Sequence, residues 1–534
     1  MINFLEINIE TIKNTLLLLF LTNFAFTFKP PSFKRFFNAA VAFSSEALPG
    51  VQSILDEEKR KALHDIEKKM LGSGDVDAIS SIPLKSKSPK SLTNLGSKLK
   101  ATHSGFASGK QWGGVYHLAG SELTDLQAAF WKQFNSTNTL YPGAFPAIRK
   151  MEAELIAMTC DLVGGACGLL SSGGTESILL AVLAYREQGR KRHISITAPE
   201  IICGITAHPA LAKACFYFNV KLIKLPVDVK TQQMSVASVK ANINKNTLCI
   251  YASAPTFPHG VIDPVEQLGS LALSHKIGLH VDNCLGGFLT SYLKKLNLLK
   301  GREFDFNVPG VTTMSVDLHK YGGCCKGVSV CVFKSKELRQ ASYVPSFDGC
   351  EGLYITPTMQ GSRSGATIAA AWASVLWRGE DGYLKMAKKI HDIEKVAMDG
   401  VAKIDELEPL LIPDCAILPL KAVKGSKISI YAVASYMEKR GWNLFTGTNP
   451  PTLGLCFGEI HEGKVMKELL QDLQKAVTHV KLNPKEKIEG NAAVYGAMST
   501  IPDNLLDGIL REYVDLSLTV KHKEKKIEIN SSIL

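Results

Sequence analysis

Residues 277–282, IGLHVD, and residues 312–326, TTMSVDLHKYGGCCK, decide how the rest of the chain is read. Each opens as a short apolar, partly β-branched run and closes on a charge, Asp282 in the first and Lys320 in the second. A short run apolar on both faces suits a strand of a parallel sheet, covered above and below. Such sheets hold ligands at the carboxyl ends of their strands, where both charged residues fall. Outward from these stretches, β-rich runs at 194–197, 221–227, 248–253, 278–281, 312–316 and 328–333 alternate with helical patterns such as 176–185, 265–274 and 287–296. That alternation predicts an α/β fold, a mostly parallel central sheet wrapped by helices. Beyond about residue 381 the pattern becomes helix, then short strands at 416–419, 428–433 and 452–457, then helix again, which predicts a smaller C-terminal α+β domain.

The chain has 534 residues, room for one large domain with appendages or several domains of roughly 100–200 residues. With 46% hydrophobic and 21% charged residues it is ordinary globular protein, which excludes whole-chain disorder, collagen and disulfide-knot classes. The net charge of +11 reads as a generic basic surface ahead of a preference for anionic lipid or a phosphorylated substrate, and nucleic acid is not an expected partner. Twelve scattered cysteines without a CxxC pair or zinc spacing read as reduced, mostly buried thiols; no metal site is expected.

Residues 15–28, TLLLLFLTNFAFTF, carry no charge. As a helix they would span about 21 Å against a hydrocarbon core of about 30 Å. Three readings stay open. A thin-membrane anchor with Lys13 and Lys29 snorkelling comes first, then a buried or interfacial helix, then a signal peptide cut near Ala40-Val41-Ala42. For an anchor, the positive flank of Lys29, Lys34 and Arg35 leaves the bulk of the protein cytosolic. Residues 45–70 show a helical pattern, and 72–97 turn to Gly, Ser, Pro and Lys, a linker or surface arm. The expected divisions are an anchor segment 1–45, a helical arm and linker 46–149, a large domain 150–380, a small domain 381–520 and a polar tail 521–534.

Four features could carry chemistry. Residues 171–177, SSGGTES, precede a helix; Gly174 and Thr175 can present free N–H groups and a hydroxyl to an anion, although alone the stretch also reads as an ordinary capped turn. His208, in TAHP ahead of an apolar helix, can stack on an aromatic ligand, or be a satisfied structural histidine. Asp282 at a strand end needs a cation, such as a pyridinium nitrogen, or is a structural cap. Lys320 suits a Schiff base if burial lowers its pKa, and the small uncharged residues 322–325 after it favour burial over a solvated loop. Singly each is weak. In chain order they supply a phosphate cup, a ring-stacking group, a pyridinium partner and a Schiff-base lysine, the set that pyridoxal 5′-phosphate requires.

With those residues in place the sequence resembles the sphingosine-1-phosphate lyases, fold-type I pyridoxal-phosphate enzymes related to the group II amino-acid decarboxylases. The likeness runs from about Gly109 to Thr519. It rests on Gly113-Gly114-Val115-Tyr116, on 145–154 (FPAIRKMEAE), on SGGTES, and on His280-Val281-Asp282 followed by CLGGF at 284–288. DLHKYG at 317–322, GSR at 361–363, KRGWN at 439–443 and VYG at 494–496 extend it. CLGGF and the second lysine, Lys326, are more specific than the generic cofactor residues.

The resemblance implies that Lys320 carries the cofactor, that Asp282 pairs with its ring nitrogen and that His208 stacks on the ring. It further implies that Gly174, Thr175 and His319 hold the cofactor phosphate, with Ser362 supplied by a neighbouring subunit of a homodimer. Tyr116, Asn138, Tyr141 and Lys326 would meet the polar head of a phosphorylated sphingoid base, and an amino-terminal anchor would suit an endoplasmic-reticulum enzyme of a eukaryote. Two departures stand out. Where the lyases read Asn-Pro-Leu-His, this chain reads Asn138-Thr139-Leu140-Tyr141, so a cationic group becomes a neutral phenol. Where they read Tyr-Ala-Pro-Lys or close to it, this chain reads Gly323-Cys324-Cys325-Lys326. The expected reaction is retro-aldol cleavage at C2–C3. The alternatives are an amino-acid decarboxylase on the same scaffold and a membrane-tethered binding protein that keeps the fold.

Overall fold

The computed structural model describes residues 79–101, 108–114, 116, 121–192, 198–350, 352–497 and 503–519. The apolar run 15–28, the helical pattern 45–70, the strand expected at 194–197 and the polar tail lie outside the described residues. Contacts divide the chain into a unit of residues 105–495 and a second unit drawn from both chain ends. In the second unit, part of the stretch expected as linker is a helix, Pro89–Ala101, that buries none of its side chains.

The larger unit is built on a seven-stranded sheet in the order β1-β7-β6-β5-β4-β2-β3. The strands are β1 (Cys167–Ser171), β2 (Glu200–Gly204), β3 (Lys221–Leu225), β4 (Thr247–Ser253), β5 (Gly278–Asp282), β6 (Thr313–Asp317) and β7 (Ser329–Phe333). Only β7 runs against its neighbours, so the sheet is mostly parallel, as the strand–helix alternation predicts. Its central strands are buried on both faces, and alternate residues feed two separate cores. Leu170, Ile202, Ile250, Ala252 and Val281 enter one core, and Leu169, Ile201, Cys203, Cys249 and Tyr251 enter the other.

Register is what positions the site. Ser253 and Asp282, at the ends of β4 and β5, stand side by side with Ser315 in the middle of β6. Asp317, Ser329 and Ser171 form a second row across β6, β7 and β1. A helix α1 (Gly174–Arg192) starts directly after β1, and α2 (Pro209–Tyr217) follows β2, so both helix starts face the same sheet edge.

A long helix α3 (Gly365–Val401), broken at Gly379 (φ 58°, ψ 173°), leads to a four-stranded antiparallel sheet, β10-β11-β9-β8. These strands are β8 (Leu407–Pro409), β9 (Ile417–Ala422), β10 (Phe445–Thr448) and β11 (Pro451–Cys456). The strand expected at 428–433 is instead the start of a helix, α4 (Ile430–Lys439). Its buried residues Ile430, Val433, Ala434 and Met437 recur at helical spacing, and that longer period outweighs the β-branched residues at its start.

Candidate active site

Asp282 is 8% exposed at the end of β5 and is fully engaged. The Tyr251 hydroxyl donates to Oδ2 at 2.5 Å, while the Cys284 N–H (3.0 Å) and the Ser315 hydroxyl (3.2 Å) donate to Oδ1. Burial alone would push its carboxyl up, but His208, the Tyr251 hydroxyl and Lys320 outweigh it and hold the group below the usual carboxylate range. An ionised carboxylate so held is a fixed acceptor for a proton on a ring nitrogen.

Lys320 follows β6, with Nζ 3.1 Å from Oδ2 of Asp317. The sequence led us to expect burial to depress this lysine. Burial does act in that direction, but the Asp317 carboxylate, aided by Cys284, Tyr116 and Asp282, reverses it and holds Nζ above the ordinary lysine range. In the chain as it stands, Lys320 is an ammonium.

Gly174 opens α1 against the same carboxylate. A Cβ at this position would lie 2.6 Å from Cys284 Sγ and 2.8 Å from both Asp317 oxygens. Glycine is needed here because the helix start rests on those groups, a reason the turn pattern alone does not show. The first N–H groups of a helix lack partners within it, so this end attracts anions. The exposed Thr175 sits in that first turn. His319 stands beside it: a Cβ on Gly173 would lie 3.5 Å from its Cε1. Its Nδ1 lies 2.7 Å from the Val328 carbonyl and 3.3 Å from the Val328 N–H, and its Nε2 faces Asp317 at 3.5 Å. Glu176 ties the cup down, accepting from Ser172 N–H at 2.6 Å and Met359 N–H at 3.0 Å.

His208 is exposed and caps α2, its Nδ1 accepting from Ala210 N–H at 3.1 Å. Tyr116 lies against Tyr321, ring centres 5.1 Å apart, with Lys326 Nζ 5.1 Å above its ring. Lys326 donates to the His319 carbonyl at 3.0 Å. Burial pushes the Tyr116 phenol well up, so it keeps its proton and can donate a hydrogen bond at neutral pH.

These residues suit pyridoxal phosphate. A helix start, a hydroxyl and an imidazole converge for its phosphate, an ionised carboxylate stands ready for its ring nitrogen, and a lysine reaches toward its aldehyde. Oδ1 of Asp317, buried and without a hydrogen-bond partner among the described residues, marks a polar space beside that lysine.

Three expected residues stand apart. Asn138 Nδ2 donates to Ser362 Oγ at 2.9 Å, and Asn138 Oδ1 accepts from Leu140 N–H (3.0 Å) and Arg363 N–H (3.3 Å). Tyr141, two residues beyond Thr139, is 59% exposed. Among the described residues no hydrogen bond joins this corner to Lys320 or Lys326. Arg363 anchors it, forking onto Glu152 at 2.6 and 3.2 Å. Sequence reasoning did not single out Tyr251, Ser315, Asp317 or Cys456, whose thiol is 3.9 Å from the Tyr321 hydroxyl. Tyr251, Ser315 and Cys456 owe their places to the pairing of distant segments, whereas Asp317 stands three residues before Lys320 and was legible in the same stretch.

Comparison with known proteins agrees with this geometry. Residues 117–416 match the pyridoxal-dependent decarboxylase conserved domain. The sphingosine-1-phosphate lyase of Dictyostelium discoideum is 36% identical over 503 residues, 92% of each chain. That of Arabidopsis thaliana is 37% identical over 481 residues, 88% of this chain and 86% of the relative. The solved sphingosine-1-phosphate lyase of Burkholderia pseudomallei aligns with a TM-score of 0.73 at 32% identity, covering 77% of this chain and 95% of that one. A glutamate decarboxylase of Lactobacillus brevis aligns at 0.68 with 16% identity, which speaks to the fold alone.

Proposed function

Because this chain belongs to the sphingosine-1-phosphate lyases, within the pyridoxal-dependent decarboxylase family, we propose that the strand-end site around Asp282 and Lys320 is where its chemistry occurs. The protein is a pyridoxal-phosphate-dependent lyase that cleaves a phosphorylated sphingoid base at C2–C3 into a long-chain aldehyde and phosphoethanolamine. The observation that carries this reading is the placement of Asp282 at the end of β5 and of Lys320 just past the end of the adjacent parallel strand β6, in a chain similar to such lyases over nearly its whole length.

When bound, the cofactor supplies an electron sink for the carbanion left as that bond breaks. Lys320 Nζ would tether it. Asp282 would hold the proton on the ring nitrogen, its carboxylate kept charged by His208, the Tyr251 hydroxyl and Lys320. His208 would stack on the ring, and Gly174, Thr175 and His319 would hold the cofactor phosphate. Lys326 offers the substrate phosphate a cation and Tyr116 a hydroxyl donor.

Ser362, Asn138 and Tyr141 serve the site of a neighbouring subunit in a homodimer. Support comes from the segment leading to Ser362, which leaves Val344, Phe347, Leu353 and Ile355 between 54% and 88% exposed, an apolar surface suited to burial against a second copy. Residues 15–28 hold the enzyme at a membrane with the catalytic part in the cytosol, in a eukaryote at the endoplasmic reticulum. No helix among the described residues is long and apolar enough to cross a membrane. The division into a large domain 150–380 and a small domain 381–520 belongs to the same reading.

The test is mass spectrometry of the products after incubation with sphingosine 1-phosphate and pyridoxal phosphate, with Lys320→Ala as control. A long-chain aldehyde and phosphoethanolamine from the wild type alone support the reading. Carbon dioxide released from free amino acids, with no aldehyde, would move the protein to the decarboxylases.

A further inference from the structure

The mechanism above leaves one buried carboxylate without a task. Asp317 ends β6 at 2% exposure. Its Oδ2 lies 3.1 Å from Lys320 Nζ and 3.5 Å from His319 Nε2, and its Oδ1 has no hydrogen-bond partner among the described residues. Both oxygens would stand 2.8 Å from a Cβ on Gly174, so the carboxylate sits under the start of α1. Burying a carboxylate with one oxygen unpartnered is costly, and such a group persists where something else requires it. Asp317 touches all three elements assigned to the cofactor: the tethering lysine, the phosphate-side histidine and the anion-attracting helix end.

We propose that Asp317 is the resting partner of Lys320, a positioning residue that receives the lysine ammonium whenever Nζ is not bonded to cofactor. It holds Nζ at the end of β6, beside the ring site, and keeps it protonated there. A protonated lysine does not compete with the substrate amine for the cofactor, yet it stays close enough to return. The inference rests on Lys320 being the cofactor lysine.

Other groups act on the same ammonium and have to be separated from Asp317. Asp282 acts from β5, Cys284 from the loop after it, Tyr116 from the amino-terminal side and Cys456 from β11. His319 and Lys326 add repulsion from the same loop when charged. Among the described residues only Asp317 is ion-paired with Nζ.

The experiment uses the full-length protein stripped of cofactor. Lysines are acetylated with acetic anhydride across a pH series, and peptide mass spectrometry reads Lys320 and Lys326 separately. In the wild type, Lys320 should acetylate at higher pH than Lys326, which burial and the Lys320 charge hold below the usual range. Asp317→Asn should move the Lys320 midpoint down by about one pH unit or more, and Asp317→Glu should restore most of it. A supporting role limited to the helix start would lower the melting temperature of the variants and leave the Lys320 profile in place, which overturns the proposal. Should Asp317→Asn not fold, the wild type decides: Lys320 reacting as readily as Lys326 also overturns it. Borohydride reduction of the loaded wild type tests separately whether the cofactor is carried on the Lys320 peptide, so failure of that premise is distinguishable from failure of the Asp317 assignment.

Discussion

The two halves of the expected site are held in opposite ways. Around Asp282 and Lys320 the functional groups are held against the sheet: Asp282 accepts three hydrogen bonds, Lys320 is ion-paired, and the helix start is pressed onto Asp317 and Cys284. At the Asn138–Ser362 corner the functional groups bond to one another, and Tyr141 faces out. The difference teaches where one chain suffices. Strand register builds the ring-binding half within a single subunit, whereas the corner is rigidly mounted by Arg363 and Glu152 yet aimed at nothing of its own.

The largest effect should come from the tied half. Asp282→Asn keeps the shape and removes the charge, and kcat/KM should fall by about 10³-fold or more. A loss below about tenfold would mean that the carboxylate is a strand-end cap and no more. Next, Gly174→Ala drives a methyl into Cys284 and Asp317, so cofactor affinity should drop and stability fall by about 1–3 kcal/mol. A cofactor titration and a melting curve read this, and an unaffected variant would show that the helix start has room to move.

The exposed corner is probed by mixing subunits. Ser362→Asp places a negative charge where the cofactor phosphate is expected and should inactivate the enzyme, as should Lys320→Ala. If Ser362 serves the neighbour, a mixed dimer of the two variants contains one intact site and regains activity. If the mixture stays dead, the corner serves its own chain. Smaller still, Tyr141→His restores a cationic group and should lower KM for the phosphorylated base about two- to fivefold with little change in kcat. An unchanged KM would take Tyr141 away from the substrate.

The smallest effect lies in a buried acid outside both regions. Burial, with Asp414 adding to it, pushes Glu394 on α3 up to about 8. Unfolded, it would titrate near about 4.3. The folded state therefore binds the proton more tightly, and this contribution to stability, complete below about pH 4.3, is lost as pH rises through about 8. Glu394→Gln cannot ionise, so its melting temperature should decline less than that of the wild type between about pH 5 and pH 8.5. Parallel declines would show that the acid is solvated.

The fold was readable in proportion to the strength of each element's own pattern. The strands β4 to β7 lie within a residue of their expected bounds, because buried parallel strands are continuous apolar runs. β1, Cys167–Ser171, lacks β-branched residues, and β2 opens on Glu200, whose charge is neutralised by Lys221 at 2.8 Å and Asn244 at 2.7 Å, partners distant in sequence. Neither could be seen locally. The α4 stretch misled because a window from 428 to 433 is too short to separate a helical period from a β-rich run.

Read on their own, the residues determine an α/β chain with a cup, a ring partner and a lysine in the order pyridoxal phosphate requires, since those features are local: a turn before a helix, a charge at the end of an apolar run. Only the folded molecule decides that His208, Tyr251 and Lys320 keep Asp282 charged, that the Asp317 carboxylate outweighs the burial that pulls Lys320 down, and that Ser362 bonds to Asn138 instead of the lysine. The physical reason is that strand register joins segments far apart along the chain, and the charge state of a buried group depends on which neighbours that register delivers.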